Sequence, residues 1–175
     1  MKTPVLGRLL TTLILVAAVI LGAAAQASAL GLPCAGFHNA LERALIAERD
    51  RNEPKATECW EKVRQHGETL LAAEPENISY LMGTARAYYF QGDGRHAAQL
   101  WETALEVLRK KGVPDPQDAY PWIYVYLGLC YAWLNEPAKA AEYWRQVPVS
   151  IGSVYTTIQE QLPALEAAGA AKEAK

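Results

Sequence analysis

The feature that most constrains this chain is a spacing that occurs three times. Ala56-x3-Trp60, Ala97-x3-Trp101 and Ala140-x3-Trp144 recur after 41 and then 43 residues. Residues four apart stand one above the other on a helix, so each pair shows a small residue and a large ring to the same neighbour. The small residue lets two helices approach closely, and the ring fills the space left beside it. The middle pair lies in the stretch from Leu81 to Leu105. Its first half puts Leu81, Ala85 and Tyr88 on one helical face, its second half puts Ala97, Trp101 and Ala104 on another, and Gln91 to Gly94 interrupts the run. Neither half buries its apolar stripe alone, so such a hairpin has to stack on others of its kind.

In chain order, Ala35 to Ala47 carries Ala40, Leu41, Ala44 and Leu45 at helical spacing, and the polar run from Glu48 to Lys55 ends that helix. Pro54 suits the first turn of the next helix, where a missing N–H costs nothing. That helix runs from Ala56 to about Leu71, with Ala56, Trp60 and Val63 inward. Asn77 is the expected N-cap of the central hairpin. After the Gly112 to Pro116 loop a helix is expected from near Asp118, with Pro121 in its first turn. It includes Trp122 to Leu134, a run without a charge, and is therefore either sandwiched in the domain or open on one face to a ligand. Ala138 to Val147 forms its return helix. The tail from Ser150 has one more amphipathic pattern, Tyr155, Ile158, Leu162 and Leu165, with a kink or break expected at Pro163. Order is expected to fade beyond Ala167.

These spacings resemble the tetratricopeptide repeat, with its W-x2-L-G-x2-Y, A-x3-F and closing P. The third hairpin matches best, with Tyr124, Leu127-Gly128, Tyr131 and Ala140-x3-Trp144. The central one offers Leu81, Tyr88 and Ala97-x3-Trp101, with Thr84-Ala85 in place of Leu-Gly; the first keeps Ala44 and Ala56-x3-Trp60. The resemblance covers residues 37 to 148 and implies an all-α fold: an α-solenoid of three stacked antiparallel helical hairpins with a C-terminal capping helix. The repeat length exceeds the family's usual 34 residues or so by roughly two helical turns, so either the return helices or the loops between hairpins must be long.

The first 29 residues read as an export signal: Lys2 and Arg8, an apolar run from Leu9 to Ala25, then the Ala27-Ser28-Ala29 cleavage pattern. The same run, left uncleaved, is close to the length of a membrane anchor. Cys34 follows Pro33, which does not suit lipidation. The expected organisation is a signal at 1–29, a helical repeat domain at 30–149, and a capping helix with tail at 150–175. Cleavage leaves 146 residues with 15 Lys and Arg against 19 Asp and Glu, a net charge of −4. No basic cluster exceeds Arg109-Lys110-Lys111, and nucleic acid is not an expected partner. Of the three cysteines, Cys34 and Cys59 form the only pairing worth considering. Antiparallel register sets them about two turns apart, which argues against a bridge, and Cys130 lies within an apolar helix.

The resemblance implies that the first helix of each hairpin lines a concave surface, commonly one that binds a peptide or a partner's helix. Carried onto the two best-matching hairpins, the groove positions are Met82, Arg86, Tyr89 and Phe90, then Trp122, Tyr126, Leu129 and Trp133, with Arg86 orienting the ligand. The same rings alternatively serve only as core between helices, with the last helix lying across the groove. A second constellation is Cys34 and His38, four apart, with His66 facing them if the first hairpin turns near Glu53. Those three could supply zinc or copper ligands in an alternative reading as a metal or cofactor chaperone, but with no fourth ligand and no compact motif the favoured reading is ordinary surface histidines and no metal site. No H-E-x-x-H, G-x-S-x-G, phosphate-binding Gly loop or C-x-x-C-H occurs. The expectation is a non-enzymatic, cofactor-free module or scaffold of the bacterial cell envelope that binds a protein or peptide, or alternatively a fixed subunit of an envelope complex.

Overall fold

The computed structural model describes residues 34–173; the leader at 1–29 with its cleavage pattern lies outside the described residues. Among those residues there are helices and no strand. The elements are α1 (34–49), α2 (Glu53–Ala73), α3 (Ile78–Phe90), α4 (Gly94–Lys110), a single turn α5 (Pro116–Ala119), α6 (Pro121–Trp133), α7 (Pro137–Trp144) and α8 (Ser153–Glu173). Helices α1 and α2, α3 and α4, and α6 and α7 form three successive antiparallel hairpins, each packed on the next.

Local sequence sets most of the boundaries. The side chains of Asn52, Asn77 and Asp93 each accept a bond from a backbone N–H three residues on, at 3.2, 3.3 and 3.1 Å, which satisfies amides left bare by the first turns of α2, α3 and α4. Pro54 sits in the first turn of α2 as expected. The helix expected from Asp118 starts later. Tyr120 precedes a proline and is held out of the α region at φ −135° and ψ 56°, so α5 ends there and α6 begins at Pro121. The long repeat is explained by α2 with 21 residues, by α4 with 17, and by the α5 turn before the third hairpin.

All three Ala-x3-Trp pairs are buried: Ala56, Ala97 and Ala140 with Trp60, Trp101 and Trp144. In the third hairpin the close approach is visible directly. The Trp144 ring packs on the bare backbone of Gly128, and its Nε1 donates to the Val125 carbonyl at 3.2 Å. Glu102 of α4 accepts from the hydroxyls of Tyr131 on α6 (2.6 Å) and Tyr143 on α7 (2.9 Å), tying the second hairpin to the third. The core stripe of α1 is not the expected one. Phe37, Ala40, Ala44 and Ala47 face α2 and α3, while Leu41 is half-buried and Leu45 exposed. The reason is close packing at Phe37, whose ring tip stands 2.5 Å from where Gly83 would carry a Cβ.

The last helix differs from expectation in two ways. It passes through Pro163 without a break and continues beyond Ala167 to Glu173. Pro163 is on the exposed side, where the carbonyl it leaves unbonded can meet water. Beyond it, Gly169 packs against Ala138, Arg145 pairs with Glu166 at 2.9 Å, and Lys172 donates to the Asn135 carbonyl at 2.6 Å. Helix α8 thus caps α7 and does not lie across α3 and α6.

Candidate functional site

Helices α1, α3 and α6 are the first members of their hairpins, and together they line one side of the stack. Helix α6 turns out to be both sandwiched and open. Ile123, Tyr124, Leu127 and Cys130 are buried, while Trp122, Tyr126, Leu129 and Trp133, spaced along the opposite stripe, face the groove. Burial alone pushes the Cys130 thiol up to about 12, as expected of an inert core cysteine.

The groove has a continuous aromatic lining. Tyr126 stacks on Trp101 of α4 with ring centres 4.8 Å apart, meets Tyr89 edge-on at 5.2 Å, and lies tilted against Trp122 at 6.2 Å. Tyr89 in turn meets Phe90 at 5.5 Å and Trp133 at 6.2 Å. Trp133 rests over Gly92 and Gly94 in the α3–α4 turn, at van der Waals distance from where each would carry a Cβ. Phe90 stacks on the buried Trp60 of α2 at 5.1 Å. Burial raises the Tyr89 and Tyr126 hydroxyls above the usual phenol range, keeping both neutral. Three of the rings remain open to solvent: Phe90 at 41%, Trp122 at 47% and Trp133 at 57%.

Arg86 stands in the middle of this lining. Its guanidinium carbon is 5.4, 5.7 and 5.5 Å from the centres of Trp60, Phe90 and Tyr126, within cation–π range of all three. Its Nη2 donates to Glu48 Oε2 of α1 at 2.9 Å, and its Nε is buried without an acceptor among the described residues. Burial raises the Glu48 pKa, and Arg86 pulls against that rise without cancelling it. Two cavities flank the ion pair. One of about 280 Å³ lies between Leu41, Leu45, Met82, Arg86, Trp122 and Tyr126. The other, about 460 Å³, is bordered by Glu48, Arg51, Glu53, Trp60, Phe90 and Gln91.

The structure therefore brings Met82, Arg86, Tyr89, Phe90, Trp122, Tyr126 and Trp133 onto one connected surface, with Leu129 half-buried on the same stripe of α6. Sequence reasoning missed the contribution of α1. Leu41 and Leu45 looked like core, and Glu48 looked like the start of a loop, yet it lies in the last turn of α1 and reaches Arg86.

The residues of the alternative metal reading are not brought together. Among the described residues no group of three or more His, Cys, Asp and Glu side chains is placed to hold a metal ion. The antiparallel register is close to the expected one, but the faces differ. His66 packs its ring on Gly36, within 2.6 Å of a Cβ position there, whereas Cys34 and His38 lie on the opposite side of α1. Cys34 Sγ is 3.4 Å from the Tyr80 hydroxyl, and the His38 ring is 6.3 Å from the Tyr80 ring. Cys34, Cys59 and Cys130 are all free thiols.

Neither a protein-family model nor a curated protein matches this sequence. Solved structures do match. One is described as the first TPR of Spaghetti (RPAP3) bound to the HSP90 peptide SRMEEVD; it is 16% identical, with a TM-score of 0.51 over 77% of this chain and 94% of that one. At that identity the likeness concerns the fold, and the fold is that of a tetratricopeptide-like helical repeat. The three hairpins and the capping helix agree with that class on independent grounds of packing.

Proposed function

We propose that this chain is a protein-binding module whose concave groove, lined by α1, α3 and α6, receives an apolar segment of a partner protein. The observation that carries this reading is the exposure of Phe90, Trp122 and Trp133 on one continuous aromatic surface that α8 leaves open. Large rings held in place by their neighbours lose little entropy on binding, and they dominate interface hot spots. The peptide carried by the RPAP3 repeat supports the reading by analogy of fold. The basic start, apolar run and Ala27-Ser28-Ala29 pattern support export to the bacterial periplasm, and hence a partner in the cell envelope.

The test is affinity capture from an envelope fraction with the native protein and with Trp122→Ala and Trp133→Ala. Both rings are largely exposed, so circular dichroism should show the fold intact. Loss of a central anchor of this type costs about 2 kcal/mol or more, so capture should fall by roughly thirtyfold. Unchanged recovery of every partner by both folded variants would refute the reading. The same exposed rings are also what a permanently covered subunit surface would present. In that case the isolated protein should self-associate in size measurements, whereas a transient binder should remain monomeric.

A further inference from the structure

The cavity between α1, α3 and α6 has an unusual electrical character. Its walls are mostly apolar, with Leu41, Leu45, Met82, Trp122 and Tyr126 beside the polar Ser79, and among the described residues Arg86 is the one charged side chain that borders it. A bare guanidinium in apolar surroundings would draw in carboxylates, since charge-assisted hydrogen bonds are about twice as strong as neutral ones. This guanidinium is not bare. Glu48 crosses from α1 to meet it, and the two side chains are only 31% and 20% exposed, so solvent and salt screen the pair weakly. Nor can Arg86 swing out to a ligand, because three aromatic rings hold it.

We propose that Glu48 acts as a charge filter, so that the groove selects an extended partner segment inserting one bulky uncharged side chain and rejects segments with carboxylates beside that anchor. The inference rests on the groove-binding reading above. A volume of about 280 Å³ lies below the roughly 300–1,000 Å³ of pockets that enclose drug-sized ligands, and it suits one large apolar side chain. A carboxylate arriving beside that side chain has two options. It can displace Glu48 from Arg86 and leave a largely buried carboxylate unpaired, or it can share Arg86 and sit against a like charge. Both are unfavourable. Burial raises the Glu48 pKa and Arg86 opposes that rise, so loss of this partner would disfavour the charged carboxylate further. A backbone carbonyl of an extended segment carries no charge and meets neither obstacle.

The probes are two acetylated and amidated pentapeptides, GGFGG and GEFEG, titrated into the full chain while the tryptophan indole resonances are followed by NMR. The native protein should bind GGFGG at least about tenfold more tightly than GEFEG, the ratio expected from one unrelieved charge contact of modest strength. Raising salt from 50 to 300 mM should leave the GGFGG affinity within about twofold. Glu48→Gln keeps the shape but removes the counter-charge, and it should bring the two affinities within about threefold or reverse them. Equal or tighter binding of GEFEG by the native protein overturns the filter while leaving the groove a binding site, and that comparison stands even if the variant does not fold. An unchanged ratio in folded Glu48→Gln also overturns it. If neither peptide moves any indole resonance at millimolar concentration, the binding reading fails, and the filter fails with it.

Discussion

Gly128 provides a test in which two well-understood effects have opposite signs. On helix propensity alone, replacing a mid-helix glycine by alanine stabilises by about 1 kcal/mol, because alanine has less backbone freedom to lose. The structure predicts the reverse. A methyl group at residue 128 would stand 2.8 Å from Cε2 of Trp144 and closer still to Cδ1 and Nε1 of the same ring, where ordinary carbon contacts are about 3.5–4 Å. The ring is 4% exposed, and its Nε1 is bonded to the Val125 carbonyl, so it has no free direction in which to retreat. Overpacking of this kind costs typically about 1–3 kcal/mol, and disrupting the indole bond adds about 1. After subtracting the propensity gain, Gly128→Ala should destabilise by about 2 kcal/mol.

For a domain of this size that corresponds to a Tm lower by about 6 °C, readable by calorimetry and by urea titration at constant m. The contact itself is isolated by a double-mutant cycle. Trp144→Leu should cost about 3 kcal/mol in the native background and at least about 1 kcal/mol less in Gly128→Ala, because the smaller side chain makes room for the methyl group. A Gly128→Ala protein that melts at or above the native temperature would show that the third hairpin does not need this approach. Additivity in the cycle would show that the cost arises elsewhere.

Other perturbations read other joints. Glu102→Ala leaves the Tyr131 and Tyr143 hydroxyls without their shared acceptor and should lower stability by about 2–3 kcal/mol in denaturant titrations. Burial, and then the bond to Glu102, raise both phenols above the usual range. Stability from these groups is therefore complete below about pH 10, the unfolded value, and falls as the pH rises further, because the unfolded chain loses those protons first. Absorbance titration at 295 nm should show two tyrosines ionising last. Of the three thiols, Cys34 should react first with a disulfide reagent in the native protein, while Cys59 and Cys130, both buried, should wait for unfolding. Pro163→Ala restores an N–H and relieves a ring inside α8, and should raise the melting temperature by several degrees, about 1–2 kcal/mol.

The architecture was legible because packing wrote it into the sequence in repeats. A small residue and a ring four apart, three times over, allow few solutions, and the Asn77 side chain marks the start of α3 where expected. The failures share a different cause. Whether α5 and α6 are one helix or two turns on the backbone of Tyr120, which the apolar pattern does not report. Whether α8 survives Pro163 turns on what Gly169 and Lys172 touch, and those contacts are with residues 138 and 135, far back in the chain.

The candidate surface was legible by a different route, through the resemblance. Positions on α3 and α6 came from the resemblance to the tetratricopeptide repeat, which assigned Tyr89, Phe90, Trp122, Tyr126 and Trp133 to one face, and the structure brings their rings together. The wall supplied by α1 was missed, because its stripe was read one position out of phase. With Ala40 and Ala44 inward, either Leu41 and Leu45 or Phe37 and Ala47 complete an apolar face. The choice is made by the absence of side chains on Gly67 and Gly83, which admits the Phe37 ring. Rotating α1 to bury Phe37 simultaneously turns Leu41 and Leu45 into the groove and carries Glu48 to Arg86. One packing decision at the glycines thus sets the size of the cavity and the charge at its edge. Filling it should move both: Gly83→Ala meets the Phe37 ring tip at 2.5 Å and should shift α1 outward, lengthening the Glu48 to Arg86 bond and loosening discrimination between neutral and acidic peptides, even though neither charged residue is altered.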